Sequence, residues 1–91
     1  MKDKKLKTGA KSVKSLDLHG KTQEEVEPIV DKFIHQAMKD GVREVRIMTG
    51  KGKGIVQKTV MTYLQHGHFN WRFETTPMGQ PNTGVLIVSV N

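Results

Sequence analysis

A chain of 91 residues, 35% apolar and 26% charged, has material for one hydrophobic core and therefore one domain. It contains no cysteine, which excludes a disulfide scaffold, a thiol nucleophile and any cysteine-ligated zinc or iron–sulfur site. No apolar run approaches the roughly 18 residues of a membrane span. The charged N-terminus has no apolar stretch behind it, so no secretory signal is expected and the cytoplasm is the expected compartment.

The net charge of +6 is unevenly placed. Residues 1–14 carry Lys2, Lys4, Lys5, Lys7, Lys11 and Lys14 against Asp3 alone, while the rest of the chain is close to neutral. This segment lacks the apolar residues to fold, so it reads as a basic disordered tail or linker ahead of a domain over residues 15–91. Such a tail either attracts nucleic acid in a salt-dependent, sequence-blind way or serves only for solubility.

Val13 to His19 alternates apolar and polar residues, the period of a half-buried strand, and Gly20 ends it. Thr22-Gln23-Glu24-Glu25 matches a capping box. Val26, Ile29, Val30, Phe33, Ile34, Ala37 and Met38 then form one apolar stripe at helical spacing, with Gly41 as the stop. Pro28 falls beyond the first turn and predicts a bend there, or a helix that starts at it. Val42 to Thr49 reads as a second strand, and Gly50-Lys51-Gly52-Lys53-Gly54 follows it directly. A second helix is predicted from Ile55 to His66, with Gly67 behind it. Phe69, Trp71 and Phe73 alternate with Asn70, Arg72 and Glu74 as a third strand. Thr76 to Gly84, with its prolines and glycines, reads as a loop, and Val85 to Val90 as the last strand.

The order β-α-β-α-β-β, with strict alternation in the first and third strands, predicts an α/β two-layer sandwich. Both helices would cover one face of a four-stranded mixed sheet and leave the other face to solvent. If Leu16 and Leu18 point to the helices, Asp17 and His19 lie on the open side, joined by Glu44, Arg46, Met48, Asn70, Arg72 and Glu74. Asp17 and His19 are then a candidate acid–base pair, since histidine titrates near neutrality and a carboxylate can orient it. The same spacing also describes the polar half of any amphipathic strand. One aspartate and one histidine supply two ligands only, so a divalent ion would need water or phosphate oxygens for the rest.

The glycine-rich segment between strand and helix carries more information. Exposed backbone N–H groups and the helix dipole face one point there, and Lys51 and Lys53 add charge, which suits an anion. Its spacing fits neither G-x-x-x-x-G-K-[ST] nor G-x-G-x-x-G, so an NTPase and a dinucleotide fold are not supported. His35, His66 and His68 have no metal-ligand spacing. Trp71 with Phe69 and Phe73 could stack on bases, but their shared parity favours core packing.

Leu16-Asp17-Leu18-His19-Gly20, then Thr22 with Glu24 and Glu25 opening a helix, then Val45-Arg46-Ile47-Met48-Thr49-Gly50-Lys51-Gly52 further along, resemble the small MutS-related (Smr) domain family over about residues 14–91. The resemblance implies a fold similar to the C-terminal domain of translation initiation factor three. It also implies nucleic-acid binding with endonuclease activity, as DNA nicking or RNA cleavage. It places Asp17 and His19 in cleavage, and Thr49, Gly50, Lys51 and Gly52 in substrate contact. Two positions depart from the family's pattern: Gln57 stands where Arg or Lys is frequent, and Met78-Gly79-Gln80-Pro81 where a glycine pair is frequent. Lys58 or Lys53 would then have to supply the missing cation.

The expected function is phosphodiester cleavage. Asp17 and His19 would be catalytic, and Arg46, Thr49, Gly50, Lys51, Gly52, Lys53, Gly54, Lys58 and Arg72 would bind nucleic acid. RNA cleavage needs no cofactor, whereas DNA cleavage would call for Mg²⁺ or another divalent metal near Asp17. The competing expectation is a non-catalytic module that docks to nucleic acid or a ribosome. A monomer is expected in either case.

Overall fold

A computed structural model describes residues 13–50 and 54–90. In chain order the elements are β1 (Val13–Asp17), α1 (Gln23–Lys39), β2 (Glu44–Met48), α2 (Ile55–His66), β3 (Asn70–Thr75) and β4 (Pro81–Ser89). Among the described residues, no helix is long and apolar enough to cross a membrane.

The start of α1 is written in its capping box. The Thr22 hydroxyl accepts from the Glu25 N–H at 3.3 Å, and the Glu25 carboxylate accepts from the Thr22 N–H at 2.8 Å. That bond favours the charged carboxylate and lowers the Glu25 pKa. Val26, Val30, Ile34 and Ala37 form the buried stripe. The helix runs through Pro28 rather than starting at it. Proline removes the donor for the Glu24 carbonyl, but Pro28 lies on the exposed side, where water can replace that bond. At the far end, Val42 N–H donates to the Ala37 carbonyl at 3.0 Å and Gly41 N–H to Met38 at 3.1 Å, a Schellman closure.

The strand order is β1-β2-β4-β3, with β1 and β2 parallel and β4 antiparallel to both of its neighbours. The β1-to-β2 and β2-to-β3 crossovers therefore move in the same direction along the sheet. Right-handed connection then puts α1 and α2 on the same face. Val45 and Ile47 of β2, with Leu86 and Val88 of β4, are wholly buried beneath the helices, together with Leu18, Val60 and Leu64. Trp71 and Phe73 pack against this core from β3 in an edge-to-face pair at 5.2 Å, so they are packing residues rather than an open platform for bases. The helices are also joined by Tyr63, whose hydroxyl donates to Asp31 at 2.6 Å. Burial, and then that bond, push the phenol pKa up.

The predicted loop of 76–84 is shorter than the sequence suggests. The turn closes with the Thr76 N–H bonded to the Gln80 carbonyl at 2.8 Å, and β4 begins at Pro81. Proline is tolerated there because it is the first residue of its strand. The β3–β4 register then jumps, from Glu74 opposite Asn82 to Phe73 opposite Leu86. Thr83, Gly84 and Val85 are left as a bulge without β3 partners.

Candidate nucleic-acid cleft

Three pieces of chain meet at the ends of β1 and β2. The first is the turn after β1. Leu18 is buried and extends the ladder, its N–H donating to Met48 at 2.9 Å, which pins the exposed residues on either side of it. The Asp17 carboxylate accepts from the backbone N–H of His19 at 2.9 Å. Asp17 thus holds His19 through the main chain, leaving the imidazole to point its ring nitrogens elsewhere. Both side chains are exposed.

The second piece is the end of β2. Thr49 and Gly50 both donate their backbone N–H groups to the Gly84 carbonyl, at 2.9 and 3.1 Å. Gly50 (φ 79°) and Gly54 (φ 81°) are left-handed, and Gly54 is the N-cap of α2 without any side-chain cap. The first N–H groups of α2 consequently have no partner within the helix and are available to an anion or to water. Lys51, Gly52 and Lys53, expected to contact phosphate, lie outside the described residues.

The third piece is the β4 bulge. Asn82 accepts from the Gly84 N–H at 3.1 Å and lies 3.5 Å from Glu74, to which its amide donates. Together the three pieces enclose an open cleft of about 560 Å³, large enough for a nucleotide. Its lining includes Asp17, His19, Thr49, Gly50, Asn82 and Gly84, with Met48 and Val56 as its accessible apolar surface.

The remaining expected cations lie elsewhere. Arg46 forms a two-pronged pair with Glu74 on the open face of the sheet, at 2.8 and 3.0 Å. The hydrogen bond to Glu74 raises the guanidinium pKa, and the hydrogen bond from Arg46 lowers the Glu74 pKa. Arg72 is 3.8 Å from Glu44 on the same face. Two arginines expected to bind nucleic acid are thus paired with carboxylates and stand outside the cleft. Lys58 is exposed in a separate hollow between the helices, alongside Gln23 and Glu27.

Asn82, Gly84, Gln57 and Val56 were not candidates from sequence. The first two fall in a stretch that reads as loop, and Gln57 reads only as the absence of a cation. The signal that could have found Gly84 is its place immediately before the apolar run of the last strand, where a glycine often marks a bulge.

The family model for the Smr domain matches residues 16–91. This chain belongs to the Smr domain family. It is 38% identical to Endonuclease MutS2 of Clostridium botulinum (strain Langeland / NCTC 10281 / Type F), over 98% of this chain but 11% of the relative. It is also 38% identical to Endonuclease MutS2 of Carboxydothermus hydrogenoformans, over 80% of this chain and 9% of that protein. The Smr domain here thus spans about a tenth of the length of these relatives. Among solved structures, the Smr domain of Thermus thermophilus MutS2 superimposes with a TM-score of 0.71 at 28% identity, covering 84% of this chain and 95% of that one. The stand-alone small MutS-related protein YdaL from Escherichia coli gives 0.71 at 30% identity, covering 82% of this chain and 62% of that one. The four-stranded mixed sheet with two helices is the Smr fold.

A divalent metal fits this Smr cleft poorly. Asp17 is the one carboxylate in its lining, and one of its oxygens is already bonded to the His19 N–H. No group of three or more His, Asp or Glu side chains that could hold a metal occurs among the described residues. Mg²⁺ requires near-octahedral oxygen coordination, usually anchored by carboxylates, and the cleft offers little of it.

Proposed function

We propose that this Smr domain binds nucleic acid and cleaves it as an endonuclease, with RNA as the substrate its cleft suits. The observation that carries the reading is the convergence of Asp17 and His19 with Thr49, Gly50 and the start of α2 around one nucleotide-sized cleft. The scissile phosphate would sit against the N–H groups at the start of α2, with Lys51 and Lys53 neutralising its charge. Neutral His19 would accept the proton of the 2′-hydroxyl as its oxygen bonds to phosphorus. The bond from phosphorus to the 5′ oxygen breaks, and that oxygen leaves with a proton from water. The products are a 2′,3′-cyclic phosphate and a 5′-hydroxyl. DNA lacks the 2′-hydroxyl and needs an activated water, which the poor metal fit of the cleft does not favour. Asp17 contributes by fixing the backbone of His19. A cytoplasmic setting and a monomer are part of the proposal.

The test is a gel assay on end-labelled single- and double-stranded RNA and DNA, with Mg²⁺ or with EDTA, and His19→Ala purified in parallel. EDTA-resistant cleavage of RNA that the variant loses is the expected result. Cleavage of DNA abolished by EDTA would overturn the RNA reading. The bond of Asp17 to the backbone of His19 instead of to its imidazole favours a second reading, a non-catalytic module docking to nucleic acid or a ribosome. Shifted but intact substrate in every lane would support that module instead.

A further inference from the structure

Gln57 is the third residue of α2 and is half-buried behind the cleft. Its side-chain amide has two N–H donors, and both have acceptors: the Thr49 hydroxyl at 3.3 Å and the Thr83 carbonyl. Thr49 ends β2 and leads into the glycine segment, whereas Thr83 opens the β4 bulge. These two segments also meet through the Gly84 carbonyl, which receives the N–H groups of Thr49 and Gly50. Gln57 is therefore the point at which α2 is tied to both walls of the cleft. The bulge has no β3 partners; beyond the backbone bonds that join Gly84 to Thr49 and Gly50, side-chain bonds add to its hold. Asn82 supplies one on the open-face side and Gln57 the other on the helix side.

We propose that Gln57 is a positioning residue: its amide sets the separation of the Thr49–Gly50 backbone from the β4 bulge, and so the width of the cleft in which Asp17 and His19 act. The inference rests on the reading of this cleft as the cleavage site. It predicts that length and donor capacity matter at this position more than charge. Methionine has nearly the same length and shape as glutamine but no donor. An error of an ångström or so in the placement of reacting groups can cost up to about 100-fold in rate.

The experiment compares the wild-type chain with Gln57→Met and Gln57→Lys, the lysine restoring a long donor. Three quantities are measured: kcat and KM on a labelled RNA, affinity for that RNA, and backbone amide exchange by NMR. Expected for Gln57→Met is a fall in kcat of about 10- to 100-fold with KM within about threefold. Faster exchange should appear at Thr49 and Gly50, and Gln57→Lys should recover much of the kcat. Exchange and kcat unchanged in Gln57→Met would overturn the proposal. So would a rise in KM alone with exchange unchanged, which would make Gln57 a direct substrate contact. If the wild-type chain cleaves no RNA, the nuclease reading falls separately, and exchange with affinity decides the brace. Faster exchange at Thr49 and Gly50 with affinity within about threefold of the wild type upholds it, and unchanged exchange overturns it.

Discussion

At the scale of single residues, the chemistry of the cleft rests on a contact that uses the main chain. Asp17 bonds the His19 N–H rather than the imidazole, and an asparagine oxygen can accept the same bond. Asp17→Asn should therefore fold normally, bind RNA as before and keep most of its cleavage, whereas Asp17→Ala, which removes the acceptor for the His19 N–H, should lower cleavage. His19→Ala should lower it at least 100-fold, as expected for removal of a general base. Thermal melts and a binding titration run beside the cleavage assay check these variants; equal loss of binding and cleavage would speak against a catalytic role. The Arg46–Glu74 pair makes a different prediction. Glu74 has a lowered pKa in the folded state because Arg46 bonds its charged form. Its contribution is in place above the ordinary carboxylate pKa and fades as acid protonates it through the lower folded value. Glu74→Gln should flatten the acid limb of a stability–pH curve below the ordinary carboxylate pKa and cost about 1 kcal/mol or less at neutral pH, measured by urea unfolding.

At the scale of elements, both helices begin at the edge of the sheet that carries the cleft, yet they begin differently. The capping box closes α1 with its own side chains, and Thr22→Ala should destabilise the domain by about 1 kcal/mol without changing RNA affinity. By contrast, α2 starts at Gly54 with no side-chain cap. A Cβ on Gly54 would meet nothing within 4 Å, so any penalty comes from its left-handed backbone. Gly54→Ala should cost about 1 kcal/mol of stability and, by shifting the start of α2, weaken RNA binding as well. Denaturation paired with a binding titration separates the two helix starts: a Gly54→Ala domain with native affinity would remove α2's N-terminus from the binding site.

At the scale of the whole molecule, much of the basic charge lies ahead of β1 in the sequence. Residues 1–12 hold five of the chain's fifteen Lys and Arg residues, while the arginines of the open sheet face are paired with carboxylates. A chain beginning at Val13 keeps β1 and the Lys14–Asp40 ion pair that ties it to the end of α1. If the tail contacts phosphates, this shortened chain should show a slope of log affinity against log salt smaller by about 3, since each contact to a single strand contributes about 0.7. Cleavage at saturating RNA should persist. Loss of all binding with the tail would make the folded domain incidental to affinity.

The sequence by itself determined the elements and the two faces of the sheet. Leu16-Asp17-Leu18-His19 and the β2 alternation have a period of two, and that period leaves only one way to bury Leu18, Val45 and Ile47. The same pattern put Asp17, His19 and Gly50 together at one end of the parallel strands β1 and β2, because it sets the direction of those strands. Tertiary structure alone decided where the cations point and what closes the cleft. Arg46 and Glu74 are 28 residues apart and meet only because β4 inserts between β2 and β3. Asn82 to Gly84 look like a loop in isolation, since a bulge is defined by what its neighbouring strand fails to pair. Gln57 gains its place from two acceptors on other strands. Local periodicity encodes burial, whereas the partners of a polar side chain depend on contacts distant in sequence, which no local pattern records.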